Sequence, residues 1–185
     1  MAGDCVSLVK PSAGLRDGYM DFYREWKDSG EDMVPWVISR EPDDFDAMVQ
    51  FLHDQEREDH LPGWVPSSTY WLAAGRRIVG AVNIRHRLTE RLLQRGGHIG
   101  YGIRPSERRK GYATRLLALS LEEARRLGIA SALIVCDSWN IASAKTILNN
   151  GGVPDAHFTE ENGNVIKRFW IPLQFRTAPG ERNRR

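Results

Sequence analysis

Only two cysteines occur among the 185 residues, at positions 5 and 136, with no CxxC pair and no metal-ligand spacing. Their scarcity argues against a disulfide scaffold and a thiolate zinc site, and no metal is expected. An apolar run of about 18 residues is missing, as is a basic-then-apolar leader, so neither a membrane span nor a secretory signal is expected. A cytoplasmic protein follows as the expectation. Charge of one sign is also lacking. The net charge of +2 is too slight for a nucleic-acid binder, although Arg176 and the tail Glu181-Arg182-Asn183-Arg184-Arg185 are locally basic. No repeat or linker divides the chain, and 41% hydrophobic content can fill one sizeable core. The expected organisation is a single domain over residues 1–175 and a solvated basic tail over 176–185.

What is present is concentrated in Arg108-Arg109-Lys110-Gly111-Tyr112-Ala113, between a strand at His98–Ile103 and a helix at Thr114–Leu127. A turn that opens a helix leaves several backbone N–H groups without intrahelical partners, all pointing one way. The helix dipole, two arginines and a lysine add positive charge, and Gly111 permits close approach to the backbone. A pyrophosphate is the anion such a turn suits. The nucleotide P-loop does not fit, because Lys110 precedes the glycine of the turn. The dinucleotide fingerprint does not fit either, because Gly100 and Gly102 lie within the strand.

The remaining pattern is Arg/Gln, two residues, Gly, one residue, Gly/Ala, met by Arg108, Gly111 and Ala113. It resembles the GCN5-related N-acetyltransferases, and the likeness extends from about Trp71 to Gly152. The block HRLTERLLQRGGHIGYGIRPSERRKGYATRLL is similar to that of a bacterial subgroup of uncharacterised predicted acetyltransferases. The resemblance implies an α/β (α+β) fold: a mixed, mostly antiparallel twisted sheet of six to seven strands, flanked by about four helices and splayed between strands 4 and 5. It also implies acetyl-CoA as acetyl donor. The pyrophosphate would lie on Arg108, Arg109, Lys110, Gly111, Tyr112, Ala113 and Thr114. The pantetheine arm would lie on the backbone of Tyr101, Gly102 and Ile103. Asn140-Ile141-Ala142-Ser143, followed by Gly151-Gly152, is similar to the family's second block. Asn140 and Ser143 are thus implied cofactor contacts, while a plain helix N-cap explains Asn140 equally well.

One position departs from the family. Where many members carry a tyrosine that protonates the departing thiolate, seven residues after the Asn, this chain has Ile147. Ser143 or water could serve instead, and a thiolate is in any case a good leaving group near neutral pH. His98, on the motif strand, is the first candidate for the base that deprotonates the acceptor, with His86 second and Glu107 less attractive. A structural role for His98 is the competing reading. Direct attack by the amine is preferred over an acyl-Cys136 route, since a buried free cysteine is more often structural.

Elsewhere, Tyr19, Phe22, Tyr23 and Trp26 give an aromatic helical face within 17–27, and Phe45, Met48, Val49 and Leu52 give a second stripe within 43–58. In the motif helix, Ala113, Leu117, Leu121 and Ala124 form the expected buried stripe. The run 70–85 reads as a hairpin, 88–97 as a charged connection, and Val165–Leu173 as the return strand of a last hairpin. Trp36 and Trp64 are candidates for an acceptor pocket, and Asn83 and Arg85 could face acceptor or solvent. The acceptor is expected to be a primary amine, a small molecule by preference with a protein amine possible, on a monomer or homodimer. A sensor that binds acetyl-CoA without turnover is the alternative, and a nucleic-acid binder is disfavoured.

Overall fold

The computed structural model describes residues 5–58 and 63–173, so the predicted basic tail lies outside the described residues. The chain builds two antiparallel sheets. In the first, β1 (Val6–Val9), β2 (Ser67–Ala74), β3 (Arg77–Arg85) and β4 (Ile99–Ile103) lie in sequential order. The second has the order β5 (Ser131–Asp137), β7 (Val165–Pro172), β6 (Val153–Thr159). β2 and β3 are joined by Gly75-Arg76, where Gly75 has φ of 61°. The two strands are buried almost throughout, as expected of strands covered on both faces.

One face carries α1 (Arg16–Asp28) and α2 (Phe45–Asp54). The aromatic stripe predicted for α1 is fully realised: Tyr19, Phe22, Tyr23 and Trp26 are all buried, and Tyr19 stacks on Trp71 of β2 with ring centroids 4.3 Å apart. α2 starts one residue after Asp44, whose carboxylate accepts the Ala47 N–H. The other face carries α4 (Tyr112–Arg126) and α5 (Ile141–Asn149), whose buried residues join those of β2 to β5 in a second cluster. In α4 the buried positions are Leu116, Leu117, Ser120 and Ala124, so the stripe is rotated from the predicted one. Ser120 is admitted because its hydroxyl bonds the Leu116 carbonyl at 2.7 Å.

A fifth helix occupies part of the predicted charged connection. α3 (Glu90–Arg95) is started by Thr89, whose hydroxyl accepts the Leu92 N–H at 3.3 Å. Its residues lack an apolar stripe of core width, which is why periodicity missed it and a cap would have found it.

The expected split between the fourth and fifth strands is present: β4 and β5 belong to different sheets. At its closed end the His98 N–H donates to the Leu133 carbonyl at 2.7 Å, and the Leu133 N–H donates to His98 Nδ1 at 2.9 Å. Gly97, with φ of 62°, brings the chain so near β5 that a Cβ would lie 2.6 Å from the Leu133 carbonyl oxygen. Beyond this pin the strands diverge.

Candidate active site

Strand alternation sorts the side chains of β4. Gly100 and Gly102 face the α1 side, where a Cβ on Gly102 would fall 2.3 Å from the Val34 carbonyl and 2.5 Å from the Trp26 ring. Tyr101 points the other way and meets the first turn of α5, its hydroxyl 3.2 Å from Ser143 Oγ. The backbone alternates as well. Hydrogen bonds from Arg85 N–H to the His98 carbonyl and from Arg104 N–H to the Val79 carbonyl set the phase of the β3–β4 ladder. Gly100 and Gly102 therefore direct their peptide groups to β3, while Tyr101 and Ile103 direct theirs into the split. Of the three strand residues expected at a pantetheine arm, Tyr101 and Ile103 turn backbone into the split. Gly102 instead lets the loop at Val34 close onto the strand.

At the start of α4 the first helical hydrogen bond is Arg115 N–H to the Gly111 carbonyl at 3.2 Å, which leaves the N–H groups of Tyr112, Ala113 and Thr114 without helical partners. Gly111 has φ of 85°, with nothing within 4 Å of where a Cβ would be. Arg109 also lies in the left-handed region, at φ 63°. These backbones form a concave, anion-ready turn. The basic side chains are not equivalent. Arg108 Nε donates to the Ile103 carbonyl at 3.0 Å, and its Nη2 pairs with Glu31 at 2.6 Å. Lys110 pairs at 2.9 Å with Glu107, which also holds Arg77 at 3.2 Å. Arg109 is exposed and, among the described residues, has no ion-pair partner. Sequence reasoning did not foresee Glu31 and Glu107 as the groups that fix this loop.

The loop is anchored to α1 through Arg104, whose side chain is 2% exposed. It meets Glu25 through Nε at 2.6 Å and Asp21 through Nη1 at 2.8 Å. Glu25 also accepts the Ser106 N–H at 2.8 Å. Desolvation raises the Glu25 carboxyl, but hydrogen bonds from Arg104 and Ser106 outweigh it and bring it down to about 2.

Asn140 caps α5, its Oδ1 accepting the Ser143 N–H at 3.0 Å, which is the simple cap the sequence allowed. Ile147 is fully buried, so the usual tyrosine position is core. Burial pushes the Tyr101 hydroxyl up to about 12, against the opposing hydrogen bond of Ser143. Tyr101 therefore keeps its proton at neutral pH, beside Ser143. The Cys136 thiol, nearby in β5, is raised by burial, which disfavours it as a nucleophile.

His98 departs from the role of base. Its Nδ1 lone pair is taken by the Leu133 N–H, so the ring proton sits on Nε2 and no lone pair is left for an acceptor amine. Burial first, and the Arg85 charge second, lower its pKa to about 4. His98 pins the sheets together. His86 bonds Ser68 Oγ at 2.9 Å and also has a pKa lowered by burial.

On the α1 side of the sheet, beside Gly100, lies a cavity of about 420 Å³. Trp36 and Trp64 form one wall with ring centroids 4.9 Å apart, and the cavity is also lined by Asn83, Arg85, Arg91 and Arg95. The two tryptophans singled out in the sequence and the two polar residues of β3 thus share one cavity. Arg91 and Arg95 come from α3, the helix the sequence reading missed. Among the described residues no group of three or more His, Cys, Asp or Glu is placed to hold a metal ion.

Residues 15–153 match the family model described as an acetyltransferase (GNAT) domain. No curated protein matches the sequence. Solved structures show the same fold at low identity. The Microcin C7 self-immunity acetyltransferase MccE, in complex with acetyl-CoA and AMP, has a TM-score of 0.63 at 17% identity, covering 92% of this chain and 93% of that one. An acetyl transferase from Salmonella typhimurium that modifies the N-terminal serine of a 50S ribosomal subunit protein has a TM-score of 0.65 at 14% identity, covering 91% and 95%. A mutant of the spermidine N-acetyltransferase SpeG from Vibrio cholerae has a TM-score of 0.60 at 14% identity, covering 91% and 95%.

Proposed function

The chain belongs to the acetyltransferase (GNAT) family, and from that premise we propose that it transfers an acetyl group from acetyl-CoA to the primary amine of a small molecule by direct attack. The observation that carries this reading is the basic turn with unpartnered N–H groups, opening α4 next to the unpaired edge of β4. Bound acetyl-CoA supplies an activated acetyl group. The chain's own residues then have separable tasks. The N–H groups of Tyr112, Ala113 and Thr114, with Arg109, hold the pyrophosphate, while Arg108 and Lys110, fixed by Glu31 and Glu107, shape the turn and add positive potential. Tyr101 and the N–H of Ile103, whose carbonyl is held by Arg108, offer backbone to the pantetheine arm.

In the net reaction the amine nitrogen gains the acetyl group and loses a proton, and the thiolate takes one up. Tyr101 and Ser143 form a hydroxyl pair suited to supply that proton where Ile147 cannot. A small-molecule acceptor is favoured because the cavity falls in the range of roughly 300–1,000 Å³ usual for such ligands. The fold alone does not choose, since SpeG is a spermidine acetyltransferase and the Salmonella protein modifies a protein terminus.

Arg109→Gln tests the donor site cleanly, because Arg108 is tied into the Glu31 pair and its replacement would disturb packing as well as binding. Calorimetry should show acetyl-CoA affinity lowered by about threefold to tenfold, with the melting temperature unchanged. Unchanged affinity overturns the loop assignment. Tight acetyl-CoA binding with no thiol release across a panel of amines would instead favour a sensor.

A further inference from the structure

We propose that the acceptor is an amine whose body carries an anionic group, a carboxylate or phosphate, and a flat ring, held in the cavity between Trp36 and Trp64 and the arginines of β3 and α3. This rests on the acetyl-transfer reading and specifies its acceptor.

Among the described residues the lining contains no Asp, Glu or His, and three arginines contribute to it. Their charges are not all spent. Arg95 pairs with Glu160, but Arg91 is exposed and has no ion-pair partner among the described residues. Arg85 commits only Nη1, to the carbonyls of Gly96 at 3.0 Å and Gly97 at 3.2 Å. These two carbonyls fix its guanidinium at the cavity and leave its other donors for a ligand. The unpaired Arg91 and the free donors of Arg85 favour an anion over a polyamine.

The floor gives a second, independent sign of a ligand. Asn83 is fully buried and lines the cavity; its Nδ2 donates to Ser67 Oγ at 3.0 Å and Thr69 Oγ1 at 3.1 Å, and its Oδ1 has no partner. Turning the amide over only exchanges which atom is left alone, since both hydroxyls can donate or accept. A buried polar atom without a partner is costly, and a ligand N–H would satisfy Oδ1. Asn83 pairs with Gly100 on β4, so an amine held there lies beside the strand whose other edge opens into the split. The nearby arginines also favour the neutral, nucleophilic form of that amine.

The walls supply the ring specificity. Trp36 and Trp64 remain 37% and 52% exposed although they contact each other, an apolar aromatic surface that a planar group can cover.

The test is calorimetry on the full chain with phenyl phosphate, phenylacetate, benzyl alcohol and spermidine, paired with thiol release from acetyl-CoA using L-phenylalanine, phenethylamine and spermidine. The two anionic ring probes should bind more tightly than benzyl alcohol and spermidine, and their ratio distinguishes phosphate from carboxylate. Arg91→Gln, at an exposed position, should weaken the anionic probes by about threefold to tenfold and leave benzyl alcohol and acetyl-CoA unchanged. Trp64→Ala should weaken all three ring probes. Equal binding of spermidine, or indifference of the anionic probes to Arg91→Gln, overturns the proposed acceptor class. Thiol release with spermidine but not L-phenylalanine overturns it too, while leaving acetyl transfer intact. Selective anionic binding with no thiol release for any amine overturns the transfer reading and leaves the cavity's selectivity standing.

Discussion

His98 shows how one side chain changes meaning between sequence and structure. A histidine on the motif strand has the ordinary pKa of a base, and nothing local says that its lone pair will be taken by a peptide N–H from Leu133, 35 residues away. His98→Ala should leave that N–H bare in a closed interior and lower stability by about 1–3 kcal/mol. Its pH dependence has a definite sign. The folded pKa of about 4 lies below the unfolded value of about 6.5, so the unfolded chain binds the extra proton. The stabilisation is complete above the unfolded value and fades as pH falls from about 6.5 toward 4. Thermal melts of wild type and His98→Ala should therefore converge in acid. The neutral-pH limb of the thiol-release profile should keep its position in the variant; a limb that moves would restore His98 as a base.

Among the elements, β4 carries most of the site because its two faces and two edges all have different partners. Gly100 and Gly102 looked like a bulge or close approach in the sequence, and close approach is what the structure gives Gly102. Gly102→Ala would set a methyl carbon 2.3 Å from the Val34 carbonyl oxygen. Because the obstacle is backbone, overpacking of about 1–3 kcal/mol is expected in denaturant melts, together with displacement of the loop from β4. A stability loss under about 0.5 kcal/mol would show that the loop yields freely. The aromatic stripe of α1 was legible because it follows helical period with large residues. α4 was legible in place but not in phase, since a buried serine that bonds its own helix defeats a hydrophobic pattern. α3 is too short for periodicity, and its capping threonine was the available signal.

The whole molecule is held around the site by long-range charge pairing that no local pattern reports. Arg104 joins the end of β4 to Glu25 and Asp21 of α1, tying the strand that leads into the basic turn to the helix packed on the opposite face of the sheet from α4. Glu25→Gln removes one of the two counter-charges of the buried guanidinium and leaves Asp21, so it should destabilise by about 1–3 kcal/mol. Glu25 has a folded pKa of about 2 against an ordinary 4.5, so its stabilisation is present above the ordinary value and fades as pH falls from 4.5 toward 2. Acid unfolding of wild type should thus show a second loss below the one attributed to His98, and Glu25→Gln should lack it.

The sequence by itself determined the family, the basic turn that opens α4 and the order of the strands and longer helices, because these rest on short-range spacing: a glycine and bases before a helix, apolar period, turn residues. Only the tertiary structure decided which of those bases stay unpaired, that His98 is a pin, that Tyr101 lends its hydroxyl to Ser143, and that Trp36, Trp64, Asn83 and the arginines of two separate elements meet in one cavity. Those outcomes depend on which faces of distant segments are brought together, and that follows from sheet order and the split rather than from any local run of residues.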